Sequence, residues 1–213
     1  MYFLIKLMID FTDSKSVIGL IAGIIAFTAY IIYIISILKG RTKPNRSTWW
    51  IWSFMGLVVG LSYYLSGAVN TIWVPVVEFI GPLSIALLSV KYGEGKLSDK
   101  TDLICLVGAV LSVILWIIFN NPVIALVTNL AADSFAIVPT IKKSYLRPEG
   151  EDFWAWLGTG TADSLNFFAV ERFSFAILIY PIYMLVSDLI IVIVLLMKKK
   201  DIMKDTSFLR KKI

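Results

Sequence analysis

The chain contains no histidine and a single cysteine, Cys105. Imidazole acid–base catalysis, zinc sites built on histidine and cysteine, and any intrachain disulfide are thereby excluded. Charge is scarce too: 16% of residues are Asp, Glu, Lys or Arg, where a soluble domain carries about 25%. Apolar residues fill the space instead, at 58% of 213 residues with a mean hydropathy of +0.82. That excess is too large for a water-soluble core and predicts an all-α, multi-pass membrane protein. At roughly 20 residues per span, the length accommodates seven helices joined by short loops.

Seven long runs with few or no charges stand out, at 17–38, 47–67, 72–90, 103–120, 122–141, 153–170 and 173–197. Breakers separate them: Lys39-Gly40 and Pro44, Ser66-Gly67, Gly93 and Gly95, Asn120-Asn121-Pro122, and Pro148 with Gly150. Residues 1–16 carry Lys6, Asp10 and Asp13 among apolar neighbours. They lack the basic start and unbroken apolar run of a signal peptide, and read as an interfacial lead-in retained in the mature chain.

The cations set the direction. Seventeen of the twenty Lys and Arg fall in the loops 38–47, 91–102 and 142–152 and in the tail 198–213; Lys6, Lys15 and Arg172 are the other three. Cytoplasmic loops hold the Lys/Arg excess, which predicts an N-terminus outside and a C-terminus in the cytoplasm, in the cell membrane. The net charge of +5 is then a topology signal with some affinity for anionic lipid, and no partner role for nucleic acid is expected.

The chain also repeats itself. A shift of 104 residues places Lys39 on Lys143, Pro44 on Pro148, Trp50 on Trp154, Trp52 on Trp156 and Gly56 on Gly160; a shift of 106 places Pro75 on Pro181. Each copy of this basic turn and helix entry belongs to a unit of three spans. An odd-numbered unit duplicated directly would insert upside down, and one extra span restores its direction. The organisation expected is therefore 3 + 1 + 3, two parallel repeats related by an axis along the membrane normal. The first repeat covers 17–91, the linker helix 102–121 and the second repeat 122–197.

With that topology, the chain resembles the SWEET and PQ-loop transporter superfamily from about Val17 to Met197. Pro139-Thr140 stands where a PQ-loop protein has its Pro-Gln dipeptide. Pro75-Val76 and Pro181-Ile182 stand where sugar-carrying SWEETs have a Pro-Asn pair, so both sugar-binding Asn residues are missing. The resemblance implies a transporter of a small polar solute working by alternating access. It also implies a rival, because the KDEL receptor resembles this same fold yet recognises a peptide.

Ionisable groups at mid-bilayer are expensive and mark functional sites by default. Glu78, Asp133, Asp163 and Asp188 lie within spans that contain no Lys, Arg or His, and burial of an unpaired carboxylate favours its protonated form. Asp133 and Asp163 lie eleven and ten positions into their runs, about 15 Å deep at the helical rise. Asn129 and Asn166 share their helix faces, and Ser134, Thr159 and Ser164 add hydroxyls nearby. Neutral Asp and Asn also hold helices together by simple hydrogen bonding, so packing is the competing explanation. The candidate substrate-binding set is Asn129, Asp133, Asp163 and Asn166 from the second half, with Ser62, Tyr63 and Glu78 from the first. Asp133 and Asp163 are the candidates for coupling to H+ or Na+.

Pro75, Pro139 and Pro181 are candidate hinges, since an intrahelical proline frees a carbonyl and bends the helix. Gly19–Gly23 and Gly56–Gly60 have the spacing of close helix packing. Trp49, Trp50, Trp52, Trp154 and Trp156 read chiefly as an interfacial belt. An aspartyl enzyme would use paired carboxylates, but no phosphoryl-transfer or metal-binding motif surrounds these acids. No enzymatic activity, metal or cofactor is expected, and homo-oligomerisation is left open. Acids and aromatics without a cation suit an amine or amino acid better than a sugar.

Overall fold

The computed structural model describes residues 12–94 and 100–210, apart from some side chains, among them Cys105, Pro139 and 199–210. Residues 1–11 of the lead-in expected over 1–16, Lys96 in its loop, and Lys211 and Lys212 lie outside the described residues, as does the side chain of the candidate hinge Pro139. Among the described residues seven α-helices follow one another: α1 Ser14–Leu38, α2 Arg46–Leu65, α3 Trp73–Tyr92, α4 Lys100–Phe119, α5 Pro122–Leu146, α6 Phe153–Phe168 and α7 Phe175–Arg210. A 3-10 turn, Pro148–Gly150, precedes α6. The helix α7 continues beyond 197 into the basic tail, where a separate tail segment was expected.

Local chemistry sets the helix starts. Asp13, Asn45, Asn121 and Asp152 each sit in extended conformation before a helix, and their side chains accept from backbone N–H groups of the first turn, satisfying donors that have no intrahelical partner. Pro122 occupies the first turn of α5, where its missing N–H costs nothing. At the far end of α2, Gly67 turns the chain with φ +99°, and the Arg172 guanidinium fills the space where a Cβ would stand.

Among the described residues four helices are long and apolar enough to cross a membrane: α1, α3, α5 and the Phe175–Lys198 part of α7. Their large apolar side chains face outward. On α1, Ile24 and Phe27 are about half exposed while Ala22 and Ala26 are fully buried. A soluble monomer exposes apolar patches of only a few hundred Å², and this surface is that of a membrane protein.

Six helices close into a ring. In the first triplet α3 packs against both α1 and α2; in the second, α7 packs against both α5 and α6. The triplets meet where α1 packs on α6 and α2 on α5, while α4 lies outside the ring against α5 and α2. Small residues allow these approaches. A Cβ on Gly56 would stand 2.5 Å from the Glu78 carbonyl oxygen, and one on Gly158 of α6 would stand 2.8 Å from Cβ of Ala29 on α1.

Contacts also sort the loops to two ends. At one end Arg46 N donates to Glu94 O at 3.0 Å and Lys143 Nζ to Lys43 O at 3.1 Å, so three loops with many cations gather there. At the other end Asn70 Nδ2 donates to Asp13 Oδ2 at 2.9 Å, Lys15 Nζ to Val170 O at 2.8 Å, and Arg172 to Gly67 O at 3.0 Å. Corresponding helices of the two triplets run in the same direction between these ends.

Candidate functional site

The ring encloses a cavity of about 100 Å³ to which every ring helix contributes. The first triplet supplies Ala29, Tyr30 and Tyr33 from α1, Trp49, Trp52, Met55, Gly56 and Val59 from α2, and Pro75, Glu78 and Pro82 from α3. From the second come Leu130, Asp133 and Ile137 on α5, Ala155, Trp156 and Thr159 on α6, and Tyr180, Met184, Ser187, Asp188 and Ile191 on α7. A water needs about 10–15 Å³ of such space, so there is room for several waters or a small solute.

A second cavity of about 150 Å³ opens at the cation-rich end, lined in part by Lys143, Arg147, Glu94 and Glu151. Tyr33, Trp49, Trp52 and Trp156 line both cavities. Their rings form a continuous layer: Tyr33 to Trp49 at 5.1 Å, Trp49 to Trp52 at 5.2 Å, and Trp52 to Trp156 at 6.3 Å between centroids. This inward packing departs from the expected belt. Trp50 and Trp154 do face outward, exposed by 40% and 64%, whereas Trp49 is buried and the other two turn toward the axis. Ring–ring packing across the triplet interface gains more contact than lipid offers on one face.

The opposite end is sealed more thickly. Tyr63, Leu126, Ile177 and Tyr180 belong to one buried apolar cluster drawn from both triplets. Within it the Tyr63 hydroxyl donates to Ile177 O at 2.8 Å and pairs with Thr71 at 2.9 Å. Glu171 Oε1 accepts from Val69 N at 2.7 Å just beyond.

Three carboxyl groups face the cavity. Tyr30 OH donates to Glu78 Oε2 at 2.7 Å, joining α1 to α3, and Tyr183 OH donates to Asp133 Oδ2 at 2.8 Å, joining α7 to α5. Asp188, on α7, lies beside Thr159 and Asp163 of α6. Among the described residues no Lys or Arg stands in the cavity wall.

Of the sequence candidates, Glu78 and Asp133 stand in the wall from opposite triplets, and Pro75 lies beside them. Asp163, Asn129 and Asn166 are fully buried behind it, and both polar atoms of Asn166 lack hydrogen-bond partners among the described residues. Asn129 Nδ2 reaches Met55 O across the triplet interface at 3.4 Å. The structure does not bring Ser62 or Tyr63 to the cavity: the Ser62 hydroxyl donates to Val58 and Val59 carbonyls of its own helix, and Tyr63 lies in the seal. Pro181 sits inside α7, buried. The hydroxyls of Ser134, Thr159 and Ser164 likewise bond back to carbonyls of their own helices.

Sequence reasoning missed Tyr30, Tyr33 and Tyr180 as wall residues and Glu151 as a hub. Tyr30 and Tyr33 do share a helix face with Ala26 and Ala29, a polar-tipped stripe that was available as a signal. Nothing in the sequence pairs Glu151 with its partners. Among the described residues no cluster of three or more potential ligands could hold a metal ion. Compared with known proteins, the chain matches no family model, no curated protein and no solved structure.

Proposed function

We propose that this protein is a seven-span, 3 + 1 + 3 membrane transporter, SWEET/PQ-loop-like in organisation, that moves a small polar solute by alternating access. The carrying observation is the cavity on the interface between two like-directed triplets, sealed at one end and separated from a vestibule at the other by one aromatic layer. Parallel-repeat transporters hold their solute at such an interface. The gathering of cationic loops at the vestibule end supports a cytoplasmic vestibule and C-terminus and an outside N-terminus. Acids and aromatic rings in the wall favour an amine or amino acid over a sugar, with H+ or Na+ as coupling ion.

Counterflow in proteoliposomes tests the reading. Liposomes preloaded with unlabelled solute should accumulate the labelled form only when they contain the protein. A solute that binds the purified protein without counterflow would instead identify a receptor of the same architecture.

A further inference from the structure

We propose that the central cavity takes a small organic cation that carries no carboxylate, with its ammonium group held among Glu78, Asp133 and Asp188. This rests on the cavity being a solute site and narrows the solute from amines and amino acids to amines alone.

The sign of charge in the wall is the first argument. Its acids come from α3, α5 and α7, on both triplets, and among the described residues no basic side chain stands with them. Lys143 and Arg147 lie in the vestibule, beyond the aromatic layer. An ammonium group entering the cavity meets carboxylates from both sides. A carboxylate on the same molecule would meet those acids with no cation to receive it, in a region where water screens little. A zwitterionic amino acid therefore loses at one end what it gains at the other, and a neutral sugar brings no charge to pair with the ionised form of these acids.

Unmet hydrogen-bonding capacity is the second argument, independent of charge. The Tyr180 hydroxyl, on a residue 1% exposed in the cavity wall, has no hydrogen-bond partner among the described residues. Buried polar groups are normally paired, so a ligand N–H reaching the Tyr180 oxygen completes this part of the wall. Aromatic rings make up much of the remaining wall, and their faces attract ammonium and methylated ammonium groups once water is displaced.

Binding to the purified protein, read by quenching of its tryptophan fluorescence, decides the matter without requiring transport. The probes are matched pairs differing by a carboxylate, isobutylamine against valine and tetramethylammonium against glycine betaine, with glucose as the neutral control. The cation of each pair should bind at least about tenfold more tightly than its zwitterion. Glu78→Gln and Asp133→Asn, which keep an acceptor for Tyr30 and Tyr183, should each weaken it by about tenfold or more. Tyr180→Phe should weaken it less. Zwitterions or glucose binding as well as the cations, no binding by either cation, or full affinity in well-folded Glu78→Gln and Asp133→Asn would each overturn the assignment. Cation selectivity without counterflow would leave it standing and defeat the transporter reading; counterflow of valine or glucose by a protein that ignores amines would do the reverse.

Discussion

Lys143 Nζ lies 2.9 Å from Glu151 Oε1, an ion pair whose carboxylate is 4% exposed and whose ammonium is 17% exposed. The other carboxylate oxygen accepts from Trp156 Nε1 at 3.0 Å and from Tyr33 OH at 3.3 Å. One buried carboxylate thus ties α1 of the first triplet to α5 and α6 of the second, at the vestibule and against the aromatic layer. Exposed ion pairs contribute little; a buried carboxylate with three donors is costly to leave incomplete.

Glu151→Ala is expected to loosen this end of the ring. Hydrogen bonds to a charged group contribute about 1.5–3 kcal/mol, enough to raise the population with the aromatic layer open by about tenfold. In a Cys105→Ser background, a cysteine at Thr159 in the cavity wall should then react faster with a soluble thiol reagent. Glu151→Gln, which retains acceptors for Tyr33 and Trp156, should fall between. Equal reaction rates in all three proteins would show that Glu151 does not hold the aromatic layer closed.

Topology is open to direct labelling. A cysteine in the 91–102 loop or in the tail should react only from the cytoplasmic side, and one at Asn70 only from outside. Labelling of the tail from outside intact cells would reverse or dismantle the proposed 3 + 1 + 3 insertion.

Coupling is a hypothesis about Asp133 and Asp163. Neither acid has a basic partner among the described residues, and alternate exposure to the two sides would let the responsible one exchange a proton or Na+. Uptake should depend on an ion gradient, and Asp→Asn at that position should abolish the dependence while leaving exchange. If both single variants retain the wild-type response to pH and sodium, neither acid couples.

Gly56 tests the packing that positions Glu78. Gly56→Val places a branched side chain where even a Cβ stands 2.5 Å from the Glu78 carbonyl oxygen and 3.1 Å from its carbon. Overpacking of this kind costs about 1–3 kcal/mol. Thermal unfolding in detergent should fall by several degrees, and amine binding should weaken with it. Gly40→Val, with no atom within 4 Å of its Cβ position, is the control for crowding, since at φ +68° its only penalty is backbone strain. Unchanged unfolding in Gly56→Val would mean that α2 and α3 can separate freely.

The candidate acids were legible because charge in a long apolar run is rare and its depth follows from counting residues. Glu78 and Asp133 reach the cavity. Asp163 and its neighbour Asn166 sit behind the wall, since a few tens of degrees of helix rotation, set by packing against α7, decides which face opens inward. Ser62 was indistinguishable by sequence from a ligand-facing serine; its hydroxyl bonds instead to its own helix, as isolated hydroxyls in helices often do. The tryptophans misled because an indole near a helix end is equally suited to a headgroup region and to a ring-stacked core.

What the sequence determined by itself is what depends on near neighbours along the chain. Apolar runs set the helices, because the backbone of a helix satisfies its own hydrogen bonds locally, and Asp13, Asn45, Asn121 and Asp152 set where four of them begin. The tertiary structure alone decided which helices touch. That α3 and α7 each lie between the other two helices of their triplet, that α4 stands outside the ring, and that Tyr30, Trp52 and Tyr180 meet Glu78 and Asp133 around one cavity are consequences of packing between distant segments. Hydropathy carries no trace of them, because lipid-facing and core-facing sides of these helices are almost equally apolar, and only the fit of Gly56, Gly158 and Ala29 against their neighbours tells the two sides apart.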